Sequence, residues 1–217
     1  MSENEILNAT IRFVKNELKD AEGGHDWWHI ERVVNNARLI SRSEPVNHFI
    51  VELASLLHDI ADAKFYDGDE DAGPLKARAF LAGLQVKEET IALVGKIIRN
   101  ISFKGGNFTI DFSSPELAVV QDADRLDAMG AIGIARAFNY GGFKNREIYN
   151  PSIKPDLQIT REDYKKSSAP TINHFYEKLL LLKDRMQTET GKKIAEERHR
   201  FMEIFLAQFY QEWGGKK

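Results

Sequence analysis

The sequence predicts an all-α protein organised as one domain over residues 1–217. Apolar residues recur every three to four positions through most of the chain, which is the period of a helix that buries one face. The alternation typical of strands is limited to short pieces near 101–112. Glycine and proline interrupt the helical period mainly in 139–162, which we predict to be a long loop.

Eight helical segments follow from this pattern. They are predicted at about 2–20, 26–42, 45–65, 72–83, 87–100, 115–138, 171–189 and 191–213. Ser2 is placed to cap the first, and Pro115 suits the first turn of the sixth. The third is apolar through its second half and should be buried. The last two are expected to form a C-terminal helical hairpin around Gly191, packed on this domain or on a partner.

The composition excludes several classes of function. The chain contains no cysteine, which rules out disulfides, thiolate metal sites and cysteine nucleophiles. With 30 basic and 33 acidic residues the net charge is -3, which gives no support to binding of nucleic acid or of a membrane surface. The segment "MSENEILNAT" lacks the features of a secretory signal, and no apolar run approaches the ~18 residues of a membrane span. We therefore expect a cytoplasmic protein.

Ionisable side chains interrupt three of the predicted helices. His29 follows His25 by four residues and Asp26 by three, so these side chains can share one helix face. His58 and Asp59 lie in the most apolar helix, "LASLLHDIADAKF". An ionisable pair in such surroundings is destabilising unless it is hydrogen-bonded or bound to a metal.

The third interruption is the segment "VVQDADRLDAMGAIGIARAF". It places Asp122, Asp124 and Asp127 around Arg125, among residues that resemble core. Each feature has an ordinary explanation, since a single buried histidine is usually a satisfied core residue and an aspartate beside an arginine is usually an ion pair. The combination of all three favours a metal site. Imidazole and carboxylate ligands together suit zinc, manganese, nickel, cobalt, iron or magnesium.

Three motifs in chain order carry a family resemblance. His29, then "LLHDIADAK", then "DADRLDA" resemble the H…HD…D signature of the HD superfamily of metal-dependent phosphohydrolases, which lies on a helical bundle. The segments "GHDWWHIERV", "ISFKGG" and "INHFYEKLLLLKDRMQTETGKKIAEERHRFM" extend the resemblance to a compact single-domain bacterial subfamily. The resemblance implies one HD-type domain over 1–217, with a metal-binding core at about 25–130 and a helical extension at about 163–217.

The same resemblance implies a ligand set. His29, His58, Asp59 and Asp124 would hold one divalent metal ion, with Asp122 the weaker candidate for the last position. No histidine lies between Asp59 and Asp124, which favours a mononuclear site and disfavours the di-iron oxygenase chemistry of the superfamily. His48, His174 and His199 are predicted to be structural or solvated.

Several further residues are candidates for catalysis and substrate binding. Asp62, one turn past His58, is a candidate base or proton relay, unless it pairs with Lys64 or Arg78. Charge that develops on a phosphoryl group needs cations, for which Arg32 and Lys64 are the catalytic candidates. Candidates for substrate contacts are Arg32, Lys104, Arg125 and His25. Lys104 could equally be an exposed loop lysine, and Arg125 could be an ion-pairing residue.

These residues predict an enzyme that hydrolyses a nucleotide or a related phosphate ester. The resemblance implies cleavage of a nucleoside triphosphate to the monophosphate and pyrophosphate, with a nucleoside monophosphate phosphatase as the nearest rival. The sequence is also compatible with a nucleotide sensor that lacks catalysis, and less so with a purely structural protein. The expected partners are a small phosphate substrate and, compatible with the closing hairpin, a second copy of the chain.

Overall fold

The computed structural model describes residues 1–19, 21, 26–60, 71–101, 112–158 and 167–216. Within these ranges the regular elements are helices and no strand occurs, which confirms the all-α class. The strand pieces predicted near 101–112 lie almost wholly outside the described residues. The chain divides into two compact units, Met1–Asp124 and Arg125–Lys217, which are described separately. A single domain over 1–217 stays a prediction.

Six helices belong wholly or mostly to the first unit. They are α1 (Glu3–Glu17), α2 (Trp27–Ser41), α3 (His48–Leu57), α4 (Ala72–Gly83), α5 (Glu88–Asn100) and α6 (Pro115–Asp127), the last of which contains the unit boundary. As the apolar sequence of α3 predicts, most of its residues are buried, and it packs against α1, α2 and α5. Of the described helices, none combines the length and apolarity that crossing a membrane requires.

Side-chain caps explain where these helices begin. Ser2 and Glu5 form a reciprocal capping box at the start of α1, as the sequence indicates for Ser2. Asp26 caps α2, and Asn47 caps α3 by accepting from the backbone N–H of Ile50. Each cap satisfies an N–H group that the first helical turn leaves without a partner, and so fixes the start of the helix.

The third helix ends earlier than predicted. A helix over 45–65 would place His58 and Asp59 in its interior, whereas α3 ends at Leu57 and both residues lie in the turn that follows. The ring of His58 donates from Nδ1 to the carbonyl of Ser55, which satisfies one of the carbonyls left over at a helix end. Residues 61–70 are outside the described part of the chain.

The second unit begins within α6 and contains α7 (Gly130–Phe143), α8 (Thr171–Glu177) and α9 (Glu189–Trp213). The continuous helix predicted over 115–138 is wrong, because residues 128 and 129 separate α6 from α7, and Gly130, at the start of α7, has φ +67°. A Cβ atom at Gly130 would also lie 3.1 Å from Cγ of Arg198, so both the backbone conformation and the close approach favour glycine here. The predicted loop begins later than 139, since α7 continues to Phe143.

The closing segment is less regular than a pair of long helices. Instead of one helix over 171–189, α8 is followed by two 3-10 turns, Leu179–Leu181 and Lys183–Arg185. The hydroxyl of Thr188 accepts from the N–H of Gly191 at 2.9 Å, so α9 begins at Glu189 and Gly191 lies inside it rather than at the joint. Aromatic rings pack this unit, including the stacked rings of Phe175 and Phe205.

Candidate metal centre

The first component of the site is the start of α2. Asp26 accepts a hydrogen bond on Oδ1 from the backbone N–H of His29 at 3.0 Å, which fixes the first turn. His29 is then held at a buried position, with 2% of its surface exposed. Asp26 therefore supports His29 through the backbone N–H that it caps.

The second component is the turn after α3. The hydrogen bond from Nδ1 of His58 to the carbonyl of Ser55 is 2.8 Å long. Because a carbonyl can only accept, Nδ1 carries the proton and the lone pair of a neutral ring lies on Nε2. This is the arrangement by which second-sphere carbonyls orient metal-binding histidines. Asp59 follows directly and is half-buried.

The two imidazoles meet at their Nε2 atoms. Nε2 of His29 and Nε2 of His58 are 3.3 Å apart, and the ring planes are inclined at 68°. One carboxylate oxygen of Asp59 and one nitrogen of each ring all lie within 4.8 Å of one another. Oδ1 of Asp124, on α6, is 3.5 Å from Nε2 of His29 and 3.9 Å from Nε2 of His58. All four residues belong to the first unit.

These separations fit a shared cation. Two nitrogens bound to one zinc-sized ion at about 2.0–2.1 Å, with a tetrahedral angle between them, lie about 3.3 Å apart. The observed separation of the Nε2 atoms of His29 and His58 is 3.3 Å. Nitrogen and carboxylate oxygen donors together match the borderline and hard divalent ions that the sequence indicates. The arrangement therefore has the chemistry of a metal site.

The structure distinguishes between the two candidate aspartates of α6. Asp124 has 39% of its side chain exposed and lies beside both imidazoles. Asp122 is completely buried. Two residues apart on a helix, their side chains point about 200° apart around the axis, so only one can face His29. The position of Asp124 supports its choice as the fourth candidate ligand.

The other predicted site residues lie partly in the first unit, partly in the second and partly outside the described residues. Arg32 lies on α2, one turn after His29, and is half-buried. Arg125 is the first residue of the second unit, and its guanidinium donates to the carbonyl of Arg185 at 2.8 Å. The predictions for His25, Asp62, Lys64 and Lys104 lie outside the described residues. Their roles, like those of Arg32 and Arg125, stay predictions.

Two residues of the site do not follow from the sequence analysis. Ser55 orients His58 through its carbonyl, which no side-chain pattern signals. Asn36 is buried on α2 and donates to the carbonyl of Ala123 at 3.1 Å, immediately before Asp124. Its signal in the sequence is a polar residue at a core position of α2, seven residues after His29.

Comparison with known proteins shows which family the chain resembles. The profile of the HD domain family matches residues 27–129. The uncharacterized protein YpgQ of Bacillus subtilis is 38% identical over 204 residues, which cover 94% of this chain and 91% of YpgQ.

Two crystal structures resemble the whole chain. One is an HD-superfamily hydrolase from Bacillus thuringiensis, with 46% identity and a TM-score of 0.79 over 98% of this chain and 99% of that one. The other is Bacillus subtilis YpgQ in complex with ADP, with 35% identity and a TM-score of 0.78 over 98% of this chain and 97% of that one. From the matched family profile, the whole-chain relatives and the histidine–aspartate cluster, we conclude that the chain belongs to the HD superfamily of hydrolases.

Proposed function

We propose that this protein is a metal-dependent phosphohydrolase that acts on nucleotides. The observation that carries the proposal is the approach of two imidazole Nε2 atoms to 3.3 Å, with the carboxylates of Asp59 and Asp124 beside them. In this proposal His29, His58, Asp59 and Asp124 hold one divalent ion. Manganese, cobalt, nickel, zinc, iron and magnesium are the candidates for that ion.

The charge of the ligand set suits this role. Two neutral imidazoles and two carboxylates carry a total charge that balances a divalent ion, so the centre can also accept an anionic phosphate. When bound, such an ion supplies Lewis acidity toward a phosphate oxygen and lowers the pKa of a water molecule. Within the described ranges, His29, His58 and Asp59 form the one cluster of three close metal-binding side chains.

The remaining roles are assigned to the residues that the sequence analysis proposes for catalysis and substrate binding. Asp62 takes the proton of the attacking water, either as the base or as a relay to solvent. Arg32 and Lys64 stabilise the negative charge that develops on the phosphoryl oxygens. The residues proposed to bind substrate are Arg32, Lys104, Arg125 and His25.

A relative supports the choice of a nucleotide substrate. YpgQ, which matches this chain over nearly its full length, has been crystallised with ADP. We therefore propose that the metal centre hydrolyses a nucleoside triphosphate. The water oxygen forms a bond to the α-phosphorus, the bond from that phosphorus to the bridging oxygen breaks, and pyrophosphate leaves. The products are a nucleoside monophosphate, pyrophosphate and one proton.

The test is reconstitution of the full chain after removal of metal with a chelator. Each candidate ion is added back in turn, and hydrolysis is measured on mono-, di- and triphosphates of ribo- and deoxyribonucleosides. We expect turnover that depends on the added ion, with the monophosphate and pyrophosphate released in equal amounts from triphosphates.

The products separate this proposal from the competing functions. Release of inorganic phosphate from monophosphates, with triphosphates left intact, would identify a nucleotide phosphatase. Tight nucleotide binding without hydrolysis under any ion would instead favour a sensor. Absence of both metal binding and hydrolysis would contradict the proposed centre itself.

A further inference from the structure

Asn36 lies on the same face of α2 as His29, almost two helical turns further along. Seven residues correspond to nearly two turns at 3.6 residues per turn, so the two side chains point in similar directions. Asn36 is 8% exposed, and Val33 and Ile40 on the same helix are completely buried. An amide in such surroundings is destabilising unless its polar atoms find partners.

One hydrogen-bond partner of Asn36 belongs to α6. Its Nδ2 donates to the carbonyl oxygen of Ala123 at 3.1 Å. That carbonyl belongs to the planar peptide unit whose nitrogen is the backbone nitrogen of Asp124. Because the peptide unit is rigid, a hydrogen bond to its oxygen also restrains the residue on its other side. Asn36 thus connects the helix that carries His29 to the peptide that begins Asp124.

We propose that Asn36 is a positioning residue for the metal centre, which holds α6 in the register along α2 that brings Asp124 to His29. The inference rests on the proposed function, since it takes His29 and Asp124 to be metal ligands. Nε2 of His29 and Oδ1 of Asp124 are 3.5 Å apart. Metal–ligand distances hold to within about 0.2 Å, so a small slide of one helix along the other would remove a ligand.

Apolar packing alone defines this register weakly. Contacts among buried aliphatic side chains are non-directional, and they can be replaced by similar contacts after a small slide. A buried amide has a directional bond that only one register satisfies, which is how a single buried asparagine specifies register in coiled coils. Asn36 therefore gives the position of Asp124 a directional restraint that apolar contacts do not supply.

Gln121 provides a matched control on α6. It is 4% exposed, and its Nε2 donates to the carbonyls of Asn100 at 2.7 Å and Ile101 at 3.3 Å. Like Asn36, it is a buried amide that bonds to a backbone carbonyl of another segment. These bonds restrain α6 against the end of α5, whereas the bond from Asn36 restrains α6 against α2, which carries His29. Loss of Gln121 should therefore reduce stability without separating His29 from Asp124.

The experiment compares Asn36→Leu with Gln121→Leu in the full chain. Each variant is freed of metal, and its folding is checked by circular dichroism and urea unfolding. Affinity for Mn²⁺ is measured by calorimetry, and the visible absorption of the Co²⁺ form reports the coordination. We expect Asn36→Leu to weaken Mn²⁺ binding roughly ten-fold or more and to alter the Co²⁺ spectrum. We expect Gln121→Leu to leave both unchanged, even where its urea midpoint falls.

Asn36→Ala is the second variant, because alanine favours the helix and removes the amide without adding bulk. It should weaken Mn²⁺ binding in the same way. Unchanged Mn²⁺ affinity in both Asn36 variants would overturn the inference and leave the proposed centre standing. Equal weakening by Asn36→Leu and Gln121→Leu would also overturn it, because both amides would then act through general stability. If the unmodified protein binds no divalent ion, the proposed function fails and the inference fails with it.

Discussion

In the first unit His29 and His58 bring their Nε2 atoms to 3.3 Å, with the carboxylate of Asp124 beside them. In the second unit His174 lies instead near the cations Lys178 and Arg146. Burial, followed by the charges of these two residues, lowers the pKa of His174 to about 3. The ring of His174 is therefore neutral over the physiological range.

The difference shows that burial of a histidine is a weak sign of function on its own. The cations beside His174 would repel a divalent ion. His199, also in the second unit, has its Nε2 3.4 Å from Oε1 of the exposed residue Glu203, one turn along α9. What distinguishes the first unit is the convergence of two imidazole nitrogens and carboxylate oxygens on one point, which a cation stabilises.

The largest expected effect is the loss of hydrolysis when a proposed metal ligand is replaced. His58→Ala removes a proposed ligand, and we expect the metal-dependent rate to fall by more than the roughly 10–100-fold that loss of an outer-sphere partner causes. His174→Ala is the matched change in the second unit and should leave the rate unchanged. Steady-state assays with the reconstituted enzyme measure both. An unaffected rate in His58→Ala would remove the functional distinction between the two units.

The next effect separates the aspartates of α6. Asp124→Asn keeps the shape of the side chain but removes its charge, so we expect Mn²⁺ affinity to fall by roughly 10-fold or more. Asp122→Asn should leave the affinity unchanged and instead reduce stability, because Asp122 is completely buried. Calorimetric titration and urea unfolding of both variants test this. The reverse pattern would identify Asp122 as the ligand.

The pH dependence of stability tests whether His174, in the second unit, is buried in its neutral form. The folded pKa of His174 is lowered to about 3, whereas the unfolded side chain has the ordinary value of 6.5. Between these values the unfolded state binds more protons, so stability is lost as pH falls through this window. The contribution is at most about 1.4 kcal/mol per pH unit.

Replacing this histidine isolates that contribution. His174→Gln should flatten the decline in stability between pH 6 and pH 4 by up to about 1.4 kcal/mol per pH unit. Urea unfolding at a series of pH values, with hydrogen exchange to locate the affected segments, provides the measurement. An equally steep decline in the variant would show that other groups cause it.

The weakest response is expected from two helix caps, one in each unit. Asp26→Ala and Thr188→Ala each remove the side-chain cap of a long helix, and each should cost about 1 kcal/mol of stability. Only Asp26 holds the backbone of a proposed ligand, so only its loss should also weaken Mn²⁺ binding. Urea unfolding and calorimetry of the pair test this. Equal Mn²⁺ affinities in the two variants would show that the cap does not position His29.

The helical class and the identity of most candidate ligands follow from sequence alone. The helix predicted over 72–83 matches α4, and the one predicted over 87–100 begins a single residue later as α5. Such bounds are predictable because the amphipathic period acts over a few neighbouring positions. His58 and Asp59 are recognisable because ionisable residues in an apolar segment need a local reason.

Other features depend on contacts between residues far apart in the chain. The break between α6 and α7 involves Gly130, which packs against Arg198 and adopts a left-handed conformation that its neighbours in sequence do not dictate. Glycine within an amphipathic segment is compatible with a helix, so the sequence pattern predicts one continuous helix there. The first arm of the closing hairpin likewise divides into α8 and two 3-10 turns without a glycine or proline to signal it.

The metal centre shows the same division between local and long-range information. The sequence identifies both Asp122 and Asp124 as candidate ligands. Only the position of α6 beside α2 decides which of the two carboxylates lies near His29. The hydrogen bond from Asn36 to Ala123 spans 87 positions of sequence. Local pattern identifies side chains that need a partner, because burial is costly for polar groups. Tertiary structure decides which partner each of these side chains finds, because the distances between their atoms depend on how whole helices pack against one another.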